Sequence, residues 1–281
     1  MIVIEQFLKS KTHNELDCED SIFVSENFAA VIDGVTSKSE MDYAKETSGR
    51  ACSQFIRKAL EKLPFKSSAS QAVEFLTSAV YSMYTSMGIE EQVNINPNER
   101  ASACIVIYSR FKKEIWMVGD CQCLVDGIYY SNTKKIDTVL SEIRSLFIHT
   151  ELRLGRTYDK IQEKDSGRVF ILPLLNQQAV FQNSFEKNEY NYGVIDGFKV
   201  PESEIKVIKP TNPASIILAT DGYPRIFDTL AQSERYLKKI LKNDPLCVHI
   251  FKSTKGLKQG NISFDDRAYL FLRLKPESIE S

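Results

Sequence analysis

The chain has 281 residues, 43% of them apolar, and 36 Lys and Arg stand against 37 Asp and Glu. That balance argues against a nucleic-acid surface and the composition against disorder; no apolar run approaches the ~20 residues of a membrane span. Six scattered cysteines suit free thiols better than a disulfide framework, and residues 1–11 lack the features of a secretory signal, so a cytoplasmic protein is expected.

Residues 2–7 alternate loosely and predict a first strand, and 9–20 a polar, turn-like stretch ending in Cys18-Glu19-Asp20. A short strand over 21–24, a turn at Glu26-Asn27 and a strand over 28–32 follow. Five apolar residues in a row imply burial on both faces of that strand. It ends in Asp33-Gly34, where glycine leaves room for a cation to approach the Asp33 carboxylate and the Gly34 carbonyl together. The hairpin brings Glu19 and Asp20 to the same sheet end as Asp33. Residues 35–42 form a polar loop. Helical periodicity over 43–63, closed by Pro64, and over 69–87 predicts two amphipathic helices on one sheet face.

After a loop at 94–100, strands over 103–108 and 114–118 flank a turn at 111–113, and Gly119-Asp120 again puts an acid at a strand end. Strands over 121–125 and 128–130 join through Asp126-Gly127, a hairpin turn pair. Cys121-x-Cys123 reads as core thiols, since nothing else in the spacing supports a metal site. Ile136, Leu140, Ile143 and Phe147 predict a helix. Residues 169–175 and 179–181 read as strands or a short helix, 144–160 as a solvated basic face, Asp196-Gly197 as a turn and 204–208 as a strand. Residues 215–222 repeat the earlier motif, a buried strand followed by Asp221-Gly222. A helix over 230–241 follows, and Phe264-Asp265-Asp266-Arg267 precedes a last strand over 268–272. With no linker or repeat, residues 1–281 read as one domain.

Glu19-Asp20, Asp33, Asp120, Asp221 and Asp265-Asp266 thus all sit at ends of apolar strands. Carboxylates so placed repel one another unless a cation sits among them. Oxygen donors without His or thiolate favour Mg²⁺, Mn²⁺ or Ca²⁺ over Zn²⁺ or copper. A carboxylate bridging two such ions is an arrangement that activates water against a phosphate ester.

In the order of these motifs, with Gly119-Asp120-Cys121-Gln122 standing where Gly-Asp-Ser-Arg is usual, the chain resembles the type 2C metal-dependent protein phosphatases. The resemblance covers most of the chain and is weakest over 131–190. It implies an α+β four-layer sandwich, two antiparallel sheets face to face with helices outside, and a binuclear Mn²⁺ or Mg²⁺ centre at the sheet ends. It implies that Asp33 bridges both ions, that Asp221 and Asp265 complete one, that Glu19 and the Gly34 carbonyl bind the other, and that Asp120 with Asp221 matches a weaker third site. Asp20 would orient metal-bound water, which would attack phosphorus directly. The implied activity is hydrolysis of phosphoserine and phosphothreonine in a phosphoprotein.

The chain departs from that family at three places. Glu15 stands where a phosphate-binding Arg is common, Val35 where a general-acid His is common, and Arg225 where an acid is common. Arg225 is a candidate phosphate ligand, since a guanidinium grips phosphate bidentately. Two other readings stand beside the phosphatase: a catalytically silent binding or regulatory module, favoured by Glu15 and Val35, and a hydrolase of a small phosphate metabolite.

Overall fold

A computed structural model of the chain describes residues 1–35, 41, 43 and 45–274. The expected loop over 35–42 lies outside them except for Val35 and Met41, as does Ala44. In chain order the elements are β1 (Ile2–Lys9), β2 (Ser21–Val24), β3 (Phe28–Val35), α1 (Ser48–Leu60), α2 (Ala69–Met87), α3 (Glu90–Ile95), β4 (Ser102–Ser109), β5 (Glu114–Val118), β6 (Gln122–Val125), β7 (Ile128–Ser131), α4 (Lys135–Arg153), α5 (Tyr158–Glu163), α6 (Ser166–Gln177), β8 (Lys206–Ile208), β9 (Ser215–Ala219), α7 (Leu230–Asn243) and β10 (Arg267–Arg273).

Among the described residues the strands form two five-stranded sheets, ordered β1-β10-β9-β6-β7 and β2-β3-β4-β5-β8, and every pairing is antiparallel. Side-chain alternation along each strand sorts the core into layers. Ala29, Val31, Val106 and Met117 of one sheet meet Cys123, Ile216, Leu218 and Leu270 of the other. Phe28, Ala30, Ile32 and Trp116 face outward onto α1 and α2 through Ile56, Leu76 and Val80. Ile217 and Tyr269, on the outer face of the second sheet, pack on Leu237 of α7 and on Cys247 and Phe264. The result is the α+β sandwich expected from the sequence: helix, sheet, sheet, helix.

The ends of several elements differ from expectation for local reasons. β3 does not stop at Ile32: Asp33 pairs with Cys104 and Gly34 with Ala103, so the acid lies within the ladder and is held by it. The first helix starts at Ser48 rather than residue 43, because the Thr47 side chain caps it by accepting from the Arg50 amide. It ends at Leu60, four residues short of Pro64, while Leu63 stays buried in the same core. Residues 169–175 belong to helix α6, which Asp165 caps by accepting from the Arg168 amide at 2.8 Å. The strand expected over 204–208 shortens to β8, after a helical turn over 202–204 that follows Pro201. Arg144, expected on a solvated face, is fully buried. Its guanidinium donates to the carbonyls of Leu246, Cys247 and Ser253 and pairs with Asp165 at 2.7 Å, which meets the need of a buried charge for partners. Cys121 and Cys123 are buried in the inter-sheet core, as expected.

Candidate metal centre

Antiparallel order gathers one end of both sheets. The end of β3 and of β5 and the start of β2 lie together in one sheet; the end of β9 and of β1 and the starts of β6 and β10 lie together in the other. Glu19-Asp20, Asp33, Asp120, Asp221 and Asp265-Asp266 are the residues at those ends, so segments far apart in sequence meet at one rim. A cleft of about 1040 Å³ opens there, lined by Glu19, Asp33, Gly34, Asp120, Asp221 and Asp265 on the sheet side and by Arg168, Lys252, Lys255 and Lys258 opposite.

Two glycines permit the convergence. A Cβ on Gly34 would lie 2.3 Å from the Gly49 carbonyl oxygen of α1 and 2.5 Å from that of Glu19. A Cβ on Gly222 would lie 1.8 Å from the Asp266 carbonyl oxygen. The repeated Asp-Gly pair therefore has a packing reason: each glycine lets a second acidic segment close onto the first.

Hydrogen bonds fix the carboxylates. Thr47, the α1 cap, donates its hydroxyl to Glu19 Oε1 at 2.6 Å. Thr220 donates to Asp20 Oδ2 at 2.8 Å and accepts from the Ala268 amide at 2.9 Å, joining β2, β9 and β10. Asp266 accepts from the Lys11 and Glu19 amides at 2.7 and 3.1 Å. Gln122 Nε2 donates to the carbonyls of Thr220 and Tyr223 at 2.8 and 2.7 Å, pinning the loop that carries Asp221.

Three lysines answer part of this negative charge. Lys11 Nζ lies 3.0 Å from Glu19 and 3.2 Å from Asp266, Lys134 Nζ lies 3.0 Å from Asp120, and Lys255 pairs with Asp265. Sequence reading missed all three. Lys11 follows β1, Lys134 precedes α4 and Lys255 lies in the loop after α7; their partners Glu19, Asp120 and Asp265 stand 8, 14 and 10 residues away across loops, at no helix or strand spacing that announces the pair.

The remaining repulsion shows in the acids. Burial, then the neighbouring charges of Asp221, Asp20 and Asp120, pushes Asp33 well above the usual carboxylate range. Burial and the charges of Asp265 and Asp120 push Asp221 up to about 7. Asp20 is raised by burial and by Asp266 and Asp265. Asp120 behaves oppositely: burial would raise it, but the Lys134 charge holds it below the ordinary value.

Among the described residues, seven carboxylates gather at this rim (Glu19, Asp20, Asp33, Asp120, Asp221, Asp265, Asp266) and three ammoniums are in contact with them. Oxygen donors, burial and uncompensated charge fit a hard divalent cation. No three acidic, His or Cys side chains among the described residues are gathered into a closed chelate. Of the other expected residues, Val35 lines the cleft, whereas Arg225 does not; it is exposed and lies over the Phe227 ring. Glu15 is exposed and pairs with Lys9.

No family model matches the chain, and no curated protein matches it. Among solved structures, it is similar to the serine/threonine phosphatase Stp1 from Staphylococcus aureus, at 13% identity over 98% of this chain and 96% of that one, with a TM-score of 0.48. It is also similar to the catalytic domain of the serine/threonine protein phosphatase PstP in complex with two manganese ions (15%, 97% and 99%, 0.45) and to RsbX in complex with magnesium (12%, 98% and 99%, 0.46). Likeness at this level of identity and superposition assigns no function to this chain.

Proposed function

We propose that the chain is a divergent type 2C metal-dependent phosphatase, a single domain over residues 1–281 that hydrolyses phosphoserine and phosphothreonine in phosphoproteins of the cytoplasm. The observation that carries this reading is the gathering of Glu19, Asp33, Gly34, Asp120, Asp221 and Asp265, from the rims of both sheets, in the lining of one cleft.

Asp33, Asp221 and Asp265 would hold one Mn²⁺ or Mg²⁺ ion, and Asp33, Glu19 and the Gly34 carbonyl the other. Such ions, when bound, supply Lewis-acid stabilisation of charge on phosphoryl oxygens and a nucleophile from water at neutral pH. The chain's own residues do the rest. Thr47 orients Glu19, and Thr220 holds Asp20, beside the pair, to steer water. Gln122 fixes the backbone of the Asp221 loop. Arg168, Lys252 and Lys258, across the cleft, are cations placed to attract a phosphorylated segment. Arg225 is assigned no phosphate contact, since it lies outside the cleft lining.

A second reading, the catalytically silent binding or regulatory module, draws on the lysines: Lys11 and Lys255 already neutralise Glu19 and Asp265, two of the carboxylates assigned to metal. Hydrolysis of an aryl phosphate by the wild type and by Asp33→Asn, with Mn²⁺ and with EDTA, separates the two. Activity that requires Mn²⁺ and is lost in the variant is expected. Mn²⁺ uptake by calorimetry without hydrolysis of aryl phosphate or phosphopeptides would establish the silent module, and no uptake would overturn the metal centre. Activity on small phosphate metabolites alone would reassign the substrate.

A further inference from the structure

The three lysines at the rim are not equivalent. Lys11 and Lys255 reach in from segments outside the sheets, with side chains 26% and 35% exposed. Lys134 is 11% exposed and its partner Asp120 is 16% exposed. The Lys134 backbone is set by α4, whose first turn it opens by accepting from the Thr138 amide at 3.2 Å. Its ammonium lies 5.3 Å from the centroid of the Tyr192 ring, a buried face that favours a cation. Asp120 pairs with Lys134, and the preceding Gly119 packs on the buried Cys104, whose Sγ would lie 2.3 Å from a Cβ at that position. An ammonium so enclosed is a permanent part of the rim rather than a side chain that solvent can draw away.

Resting on the two-ion reading above, we infer that Lys134 supplies to Asp120 the positive charge that a third divalent ion would otherwise bring, so that this chain takes two metal ions and not three. The ammonium lies 3.0 Å from Asp120 Oδ2, and a divalent ion bound by that oxygen would have to displace an enclosed charge already paired with it. Lys11 and Lys255 lack this enclosure, and the ions assigned to Glu19 and Asp265 compete with them on more open terms. Thus the helical segment opened by α4 contributes a fixed cation to the centre.

Mn²⁺ stoichiometry, by calorimetry and by loss of the free-ion paramagnetic resonance signal up to millimolar Mn²⁺, tests this in the wild type, Lys134→Met and Asp120→Asn. Two equivalents in the wild type and a third, weaker one in Lys134→Met are expected, with Asp120→Asn keeping two. Three in the wild type would overturn the inference and leave the metal centre standing. An unchanged two in a folded Lys134→Met would also overturn it. If Lys134→Met does not fold, Asp120→Asn decides: two equivalents support the inference, and the loss of one overturns it. No uptake by the wild type would overturn the metal centre and this inference with it.

Discussion

Asp33 lies in β3 of one sheet and Asp221 just beyond β9 of the other, and both line the same cleft at the rim of the sandwich. Two acids so placed cannot both ionise without cost unless a cation comes between them. Their meeting is the candidate chemical centre of the molecule and sets the expected pH behaviour of the metal-free protein.

Replacing Asp33 by Asn removes one of the repelling charges and keeps the shape. The metal-free variant is expected to melt a few degrees above the metal-free wild type, since about 1 kcal/mol moves the midpoint of a chain this size by roughly 2–4 °C. With Mn²⁺ the order reverses, because the wild type gains more from binding. Hydrolysis should fall by about 100-fold or more, roughly 2.7 kcal/mol of transition-state stabilisation. Thermal melts with EDTA and with Mn²⁺ check it; a metal-free variant less stable than the wild type would mean the repulsion is absent.

The metal-free protein should lose stability as pH rises from 5 to 8. Asp221 titrates at about 7 in the folded chain against 3.8 as its ordinary value. Between those values the folded state holds a proton that the unfolded state has released. The contribution is complete below about 4 and is lost as pH passes 7. Asp33 and Asp20 shift in the same direction. Asp120 and Asp265 face Asp221 and raise it, while Lys255 opposes them. On the proposed reading Mn²⁺ should flatten or invert the trend, since it would bind the deprotonated carboxylates. Melting temperatures in EDTA over that range, with and without excess Mn²⁺, give the slope; a metal-free slope that rises with pH would contradict it.

Much of this centre was legible in the sequence. β3 and β9 are short apolar runs tipped by Asp-Gly, and a strand buried on both faces advertises itself locally. The convergence of their acids followed from one hairpin and a repeated motif. The charges that answer the acids left no such trace, because Lys11, Lys134 and Lys255 reach their acids from loops without a periodic spacing and Arg144 finds its carbonyls about 100 residues away. Helix α6 was obscured by composition: Val169, Phe170 and Leu174 are exposed while Ile171 and Leu175 are buried, so its apolar residues surround the helix instead of lining one face.

Gln122, read in the sequence only as a departure from the usual Arg, is a positioning residue. It is buried, and its amide donates to two carbonyls of the loop carrying Asp221. Gln122→Leu leaves both carbonyls without that donor, a loss of about 1–3 kcal/mol. Mn²⁺ affinity should fall because the Asp221 loop loosens. Gln122→Glu, which presents carboxylate oxygen to two carbonyls, should be worse than Leu. Calorimetry with Mn²⁺ and thermal melts of both variants measure this; Mn²⁺ affinity unchanged in both would remove Gln122 from the centre.

Arg144 anchors the other wall of the cleft. Its guanidinium satisfies three carbonyls between Leu246 and Ser253 and the Asp165 carboxylate at the start of α6. Arg168 adds a bond to the Thr254 carbonyl at 2.8 Å. These contacts fasten the loop that holds Lys255 against Asp265 to the helices opposite the sheets. Arg144→Met strips a buried network of its donors, at a cost of about 3–5 kcal/mol and a drop in melting temperature of roughly 10 °C. Arg144→Lys keeps the charge but not the planar fork, so it should fall between the two. Amide exchange locates the effect. Protection should be lost first over residues 246–257, while β3 and β9 keep theirs, because their ladders do not depend on this residue. Uniform loss of protection would assign Arg144 to the stability of the whole sandwich rather than to the wall that faces the candidate metal centre.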